Sequence, residues 1–181
     1  MRHYGILGIN KVKDKKTYYR EAIKYCEKAM SVNEDFSNEL NNVDEVPNAF
    51  DKLSINEVDA MGNWYTARFY YFKECLKPLG RLMNTDIIIE NNAMIQRIDE
   101  LDSTWFGGAN YFSRALYYIA VPAKFGGSKP LAANEFLKAI EIGPNYLIHR
   151  WGRAKYLYDL TGEMAEFESD LQWVIAQNPS K

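Results

Sequence analysis

The side chains of this sequence that could carry out chemistry are few. The two histidines, His3 and His149, are far apart in the chain, and neither has a second metal-ligating residue at helical spacing. The glycine pairs at 107–108 and 126–127 could present backbone N–H groups to an anion. Neither pair follows a predicted strand, so turn geometry explains them better. Phosphate-loop, dinucleotide-binding and serine-hydrolase motifs are absent. The sequence therefore predicts no catalytic residues, no metal site and no cofactor.

Arg114 is the charged residue in the least expected surroundings. It lies in a segment that is apolar on its predicted inner side, within one helical turn of Tyr111, Tyr117 and Tyr118. A buried guanidinium requires a carboxylate partner, and Asp102 is the first candidate. Two roles stay open: the pair fixes the turn between two helical units, or Arg114 binds the carboxylate of a ligand.

Composition excludes several classes of protein. The chain has 181 residues, of which 47% are hydrophobic and 14% aromatic, as in a folded globular protein. Its 22 basic and 24 acidic residues leave a net charge of −2, which provides no field to hold nucleic acid. No stretch approaches the roughly 20 apolar residues of a membrane helix. Cys26 and Cys75 are expected to be free thiols, with a single disulfide as the alternative.

Helical periodicity dominates the sequence and predicts an all-α fold. The predicted helix pairs cover about residues 2–32, 54–101, 109–142 and 147–177. Residues 33–53 are polar and contain Pro47, so they predict a long loop. Ser54 and Glu57 have the spacing of a capping box, and Ser128 has the position of a helix N-cap.

The last two helix pairs repeat at the spacing of tetratricopeptide proteins. Pro144 and Pro179 each follow a second helix and lie 35 residues apart (179 − 144), close to the 34-residue period. Trp151 and Tyr158 provide the aromatic anchors expected on a first helix, and Phe136 is flanked by alanines on a second helix. The predicted fold is therefore a single domain over residues 1–181, a tetratricopeptide-like stack of antiparallel helix pairs forming an α-α superhelix.

The first helices of such pairs line a concave surface, and this surface is the predicted binding site. If Trp151 and Tyr158 pack inward, the opposite face of the first helix in the last pair points into the groove. The candidate ligand-binding residues are Asn63, Tyr71, Phe112, Arg114, His149 and Tyr156. Their mixed aromatic and polar character suits an organic solute or an apolar segment of a partner. The alternative is that they pack against a further helix or a symmetry mate.

Beyond the general repeat, the sequence from Leu53 onward resembles the TatT family, the tetratricopeptide-like T components of tripartite ATP-independent periplasmic (TRAP) transporters. Residues 53–64 resemble the family's entry into a Trp-containing helix. Asp102, the glycine pair at 107–108 and the segment 111–115 resemble its glycine turn and arginine-bearing helix. Residues 136–146 and 154–174 resemble its C-terminal unit.

The resemblance implies a non-enzymatic accessory protein of a periplasmic solute-uptake system. It implies association with an extracytoplasmic solute-binding protein, a homotrimer, and a small apolar or organic-acid ligand. Family members begin with an export signal, often of the lipoprotein type, whereas this chain opens Met1-Arg2-His3-Tyr4 without an apolar signal core. The implied location is the periplasm, with a lipoprotein signal missing from this chain. The alternative is a cytoplasmic tetratricopeptide scaffold that binds a partner peptide.

Overall fold

The structure, a computed structural model, describes residues 11–42 and 46–177. These residues form helices and turns with no strand among them, which confirms the all-α prediction. The helix predicted over about residues 2–11 falls almost entirely outside this range, as do Pro179 and His3. Within the described ranges, no helix combines the length and the apolar character that spanning a membrane requires. Contacts divide the chain into two compact units, residues 1–102 and 103–181, where the sequence predicts a single domain.

The first unit is built on three long helices. Its α-helices are α1 (Val12–Met30), α2 (Glu34–Leu40), α3 (Val58–Tyr70), α4 (Pro78–Leu82) and α5 (Asp86–Leu101). Short 3-10 helices cover Val46–Lys52 and Ile55–Glu57, and α3 continues into a π-helical turn, Tyr71–Cys75. α1 packs against α3, and α3 packs against α5.

Side-chain hydrogen bonds show that α3 runs antiparallel to both α1 and α5. Along α1 and α3 the bonded pairs are Glu27 with Trp64, Arg20 with Tyr71 and Tyr19 with Glu74. Residue numbers rise on one helix as they fall on the other. Between α3 and α5, the side chain of Asn91 donates to the Tyr65 carbonyl at 2.9 Å, and Arg68 pairs with Glu90. In the core of this unit, α3 therefore lies against α1 and α5 and runs antiparallel to each of them.

The described part of the segment predicted as a loop, residues 33–42 and 46–53, is largely helical. Asn33 begins α2, because its side chain accepts from the backbone N–H of Phe36 at 3.0 Å and donates to the Lys52 carbonyl at 3.0 Å. Phe36, Phe50 and Leu53 are buried. The polar composition concealed this arrangement because so few apolar side chains anchor the segment. The loop prediction is wrong for α2 and for the 3-10 helix Val46–Lys52.

The capping box at the start of α3 is confirmed. The backbone N–H of Ser54 donates to Glu57 Oε2 at 2.8 Å, and Ser54 Oγ accepts from the backbone N–H of Asn56 at 3.2 Å. Asn33 also donates to Glu57 Oε2, at 3.1 Å. Burial acts to raise the pKa of Glu57, but these hydrogen bonds to the ionised form outweigh it and lower the pKa. Glu57 thus joins the start of α2 to the start of α3.

The second unit has the same all-helical character. Its α-helices are α6 (Trp105–Ala120), α7 (Lys129–Ile142), α8 (Leu147–Arg153), α9 (Asp159–Thr161) and α10 (Met164–Ala176). A π-helical turn, Ala154–Tyr158, joins α8 to α9. α6 packs against α7, and α10 packs against α8 and the π-helical turn. Ser128 caps α7 as predicted, accepting from the backbone N–H of Leu131 at 3.3 Å.

The beginning of α6 has a left-handed backbone. Phe106, Gly107 and Gly108 have φ values of 47°, 64° and 86°. A Cβ atom on Gly143 would lie 2.2 Å from the Gly107 carbonyl oxygen, so glycine at 143 permits this segment to approach the turn between α7 and α8. The predicted glycine turn at 107–108 is confirmed. This turn packs closely against Gly143.

Candidate functional site

The six residues predicted to bind a ligand are divided between the two units. Asn63 and Tyr71 belong to the first unit, and the other four belong to the second. Three of those four, Phe112, Arg114 and His149, contact other residues of the second unit in ways that support its fold.

His149 is held at the centre of an aromatic cluster. It is 1% exposed, and its ring lies 5.6 Å from the ring of Tyr146 and 5.8 Å from the ring of Phe112. Its Nε2 lies 2.8 Å from the Gly107 carbonyl oxygen. Because a carbonyl can only accept, Nε2 carries the hydrogen, and the neutral ring leaves Nδ1 unprotonated. Nδ1 is buried with no partner among the described residues.

This environment disfavours the charged form of His149. Burial lowers the pKa of His149, and the bond to the Gly107 carbonyl raises it by less. The neutral imidazole joins α8 to the left-handed segment at the start of α6. Its one N–H donor is thereby committed to the fold of the second unit.

Arg114 pairs with a carboxylate that the sequence analysis did not name. Its Nε donates to Glu135 Oε2 at 3.0 Å, and the guanidinium lies 5.2 Å from the ring centroid of Tyr111. Glu135 is 9% exposed. This mostly buried ion pair joins α6 to α7, a structural role that differs from the predicted one, in which a pair with Asp102 fixes the turn between two helical units.

The orientation predicted for α8 is wrong. Trp151, expected to pack inward, is 39% exposed and packs edge-on against the half-buried Tyr156 at 5.7 Å. His149 and Gly152 lie on the buried side instead, and a Cβ on Gly152 would come within 2.2 Å of the Phe112 ring. The prediction took Trp151 and Tyr158 as the inward anchors. In the π-helical turn that follows α8, the buried residues are Ala154 and Leu157.

In the first unit, Tyr71 lines a pocket, whereas the side chain of Asn63 bonds to its own helix. The side chain of Asn63 donates to the Asp59 carbonyl one turn earlier, at 2.7 Å, in an exposed bond. Tyr71 lines a pocket of about 510 Å³ formed by α1, α2, α3, the start of α5 and the 3-10 helix Val46–Lys52. Of the six predicted residues, Tyr71 is the one that lines it. The pocket is large enough for a small organic molecule.

The pocket has a buried apolar wall and an exposed charged rim. The wall is formed by side chains that are at most 8% exposed: Met30, Phe36, Phe50, Trp64 and Ile87. Arg20, Glu27 and Asp86 line the same pocket and are exposed. An apolar interior with a few polar groups at the opening is the usual composition of a small-molecule site.

Trp64 organises the charged groups nearest the wall. The guanidinium of Arg68 lies over its ring at 4.2 Å from the centroid and forms an ion pair with Glu90. The indole Nε1–H donates to Glu27 Oε1 at 3.1 Å. Arg20 lies 5.6 Å from the ring centroid of Tyr71 and donates to its hydroxyl at 3.3 Å. Neither Arg20 nor Glu27 has an oppositely charged partner within residues 11–42 and 46–177.

Sequence reasoning missed most of this pocket, although the sequence carries a signal for it. Trp64, Arg68 and Tyr71 are spaced i, i+4, i+7 and therefore share one face of α3. Arg20 and Glu27 share one face of α1 in the same way. Charged residues in register with a predicted inner stripe indicate a face that is not fully packed. Neither Trp64 nor Arg68 is among the predicted binding residues.

Within the described part of the chain, no group of three or more His, Cys, Asp or Glu residues is positioned to hold a metal ion. Cys26 and Cys75 are free and half-buried, as predicted. The chemistry that the pocket offers is reversible recognition of a small amphipathic molecule by apolar contact and charge.

Comparison with known proteins identifies the family. Among curated proteins, none matches this sequence. The family model described as "TAtT: TRAP transporter T-component" matches residues 10–181, nearly the whole chain. This chain therefore belongs to the TRAP transporter T-component family.

Proposed function

We propose that this protein is a non-enzymatic accessory component of a TRAP-type solute-uptake system. The observation that carries the proposal is the family match over residues 10–181. Membership of a T-component family supports an accessory role, and it supports a periplasmic or membrane-associated location. In this proposal the protein binds the extracytoplasmic solute-binding protein of the same system, and its helix pairs stack in the tetratricopeptide manner.

The partner can be tested directly. The purified chain is mixed with the solute-binding protein encoded beside the TRAP permease of the same genome, and binding is measured by calorimetry. A solute-binding protein from a transporter of another class serves as the control. Saturable binding to the first protein and none to the second is the expected result. Equal binding to both, or binding to neither, contradicts the proposed partner.

The assembly and the location need separate measurements. A chain of 21.0 kDa that forms the implied homotrimer has about three times that mass by light scattering. Fractionation of the source cells locates the native protein, and recovery from the cytoplasm alone would favour the cytoplasmic scaffold. These measurements decide oligomeric state and compartment independently of the partner.

A ligand-binding role for the pocket is the second part of the proposal. It is supported by the buried wall around Trp64 and by the absence of a fully packed interior beside it. A neutral aromatic probe, 2-phenylethanol, tests it by NMR titration. Shifts concentrated on Met30, Phe50, Trp64 and Ile87 are expected. Shifts distributed over the whole surface would contradict a specific pocket.

A further inference from the structure

The charged groups that line the pocket of the first unit are unequal in number. Two arginines, Arg20 and Arg68, face three carboxylates, those of Glu27, Asp86 and Glu90, which gives a net charge of −1. Arg68 and Glu90 neutralise each other, with side chains 15% and 18% exposed. The charges left without an ion-pair partner among the described residues are one positive and two negative.

These uncompensated charges lie at two ends of the pocket. Glu27 and Arg20 are seven residues apart on α1, which separates their backbones by about 10 Å along the helix axis. Glu27 is level with Trp64, and Arg20 is level with Tyr71. Since α5 runs antiparallel to α3 and Glu90 meets Arg68, Asp86 lies one turn further toward the Tyr71 end. That end has one charge of each sign, whereas the Trp64 end has the carboxylate of Glu27 alone.

The apolar wall is concentrated at the Glu27 end. Met30 follows Glu27 by one turn of α1 and is 1% exposed. Phe50 packs edge-on against Trp64, with ring centroids 5.8 Å apart. An apolar group seated against these side chains brings its polar head to Glu27. The most favourable head group is therefore set by what Glu27 and Arg68 can still bind.

Glu27 can still accept hydrogen bonds. The charge of Arg68 is offset by Glu90, although its Nε is buried without a hydrogen-bond partner among the described residues. The Trp64 indole holds one oxygen of Glu27 and leaves Oε2 without a hydrogen bond among the described residues. The Arg68 guanidinium is stacked on Trp64 and paired with Glu90. An ammonium group beside Glu27 would form a charge-assisted hydrogen bond, whereas a carboxylate there would be repelled by Glu27.

We infer that this pocket binds an organic molecule whose apolar body carries a cationic ammonium group, and that it discriminates against organic acids. The inference names the ligand class of the pocket and so rests on the ligand-binding part of the proposed function. It replaces the organic-acid ligand implied by the family resemblance with one of the opposite charge.

Three probes of matched shape test the charge preference. Phenethylamine, 2-phenylethanol and 3-phenylpropanoate present the same ring with a cationic, a neutral and an anionic head. Affinities are measured by NMR titration of the full chain at pH 7 and low ionic strength, where surface charges are least screened. We expect phenethylamine to bind about tenfold or more tightly than 3-phenylpropanoate, with the alcohol between them.

Two variants assign the preference to its residue. Glu27→Gln keeps an oxygen for the Trp64 N–H but removes the charge, and should weaken phenethylamine binding about tenfold while leaving 2-phenylethanol unchanged. Arg20→Gln removes the positive charge from the rim of the same pocket and should strengthen phenethylamine binding. Asp159→Asn, an exposed position paired with Lys155 in the second unit, is the matched control and should change nothing.

The other outcomes contradict either the cationic assignment or the ligand-binding pocket itself. If 3-phenylpropanoate binds as tightly as the amine, or if Glu27→Gln has no effect, the cationic assignment is wrong while a ligand-binding pocket survives. If no probe binds, the pocket is not a ligand site, and both the inference and the ligand-binding part of the proposed function fail. The partnership with the solute-binding protein is measured separately and is unaffected by either result.

Discussion

The two units of this chain use charged residues in different ways. In the second unit, Asp170 on α10 accepts from Arg153 at 2.8 Å through each of its oxygens and from Arg150 at 3.1 Å. In the first unit, Arg20 and Glu27 lie at the opening of a pocket without oppositely charged partners among the described residues. In the second unit, paired charges hold helices together, whereas in the first unit these two charges face the pocket.

The difference separates stability from recognition. A buried carboxylate held by two guanidiniums cannot lose a partner without leaving an uncompensated charge, so the second unit should be sensitive to such changes. Exposed charges at a pocket opening cost little to remove, because water already solvates them. The second unit is therefore the place to look for large effects on folding, and the pocket of the first unit for effects on binding.

The largest expected effect follows from Asp170→Asn. Asp170 is 2% exposed, and the substitution leaves Arg150 and Arg153 without their shared carboxylate. We expect the free energy of unfolding to fall by about 3–5 kcal/mol. Urea denaturation followed by circular dichroism measures it. Asp159→Asn, which breaks the exposed pair with Lys155, should change the free energy of unfolding far less, because water already screens this pair. Equal losses in the two variants would contradict the contrast between buried and exposed charge.

A smaller loss is expected from Gly143→Ala. The new Cβ would lie 2.2 Å from the Gly107 carbonyl oxygen, so the left-handed segment at the start of α6 would have to move. Forced repacking of this kind costs about 1–3 kcal/mol. Thermal denaturation compares it with Gly162→Ala. At Gly162 an added Cβ meets no atom within 4 Å, and the cost comes from the left-handed backbone, with φ of 78°. If Gly143→Ala is no worse than Gly162→Ala, the approach of residues 107 and 143 is not tight.

Local signals explain what could be predicted from the sequence. The capping box at Ser54 and Glu57 and the N-cap at Ser128 are confirmed because each depends on residues within one helical turn. The all-α class follows from the helical periodicity of the apolar residues, which is itself a local signal. The resemblance from Leu53 onward identifies the family that the match over residues 10–181 shows.

The site could not be predicted in the same way, because it depends on contacts across the chain. Arg114 is predicted as a charged residue in apolar surroundings, and His149 as a residue on the helix face opposite Trp151. Both descriptions equally fit a side chain held by a buried partner. Their partners, the Gly107 carbonyl and Glu135, are 42 and 21 residues away. The inward position predicted for Trp151 is wrong because the tetratricopeptide anchor pattern does not fix which side of α8 is buried; His149 and Gly152 lie on the buried side.

The pH dependence of stability tests whether His149 belongs to the packed interior of the second unit. Burial lowers its folded-state pKa below the ordinary value of 6.5, so the unfolded state binds more protons between those two pKa values. Its contribution to stability is complete above pH 6.5 and is lost as the pH falls toward the folded-state pKa. We expect urea midpoints to decline over this window in the parent protein and less in His149→Gln. Identical declines would show that His149 is already solvated.

The smallest effects on stability are expected at the opening of the pocket. Arg20→Gln removes a charge that donates a hydrogen bond to the Tyr71 hydroxyl, and Glu27→Gln retains an acceptor for Trp64. Each variant should change the free energy of unfolding by less than about 0.5 kcal/mol in urea denaturation. A loss comparable with that of Asp170→Asn would mean that these charges maintain the fold, and the contrast between the units would disappear. A small loss means that these charges contribute little to folding, as expected of exposed charges, and the probe titrations then measure what they contribute to recognition.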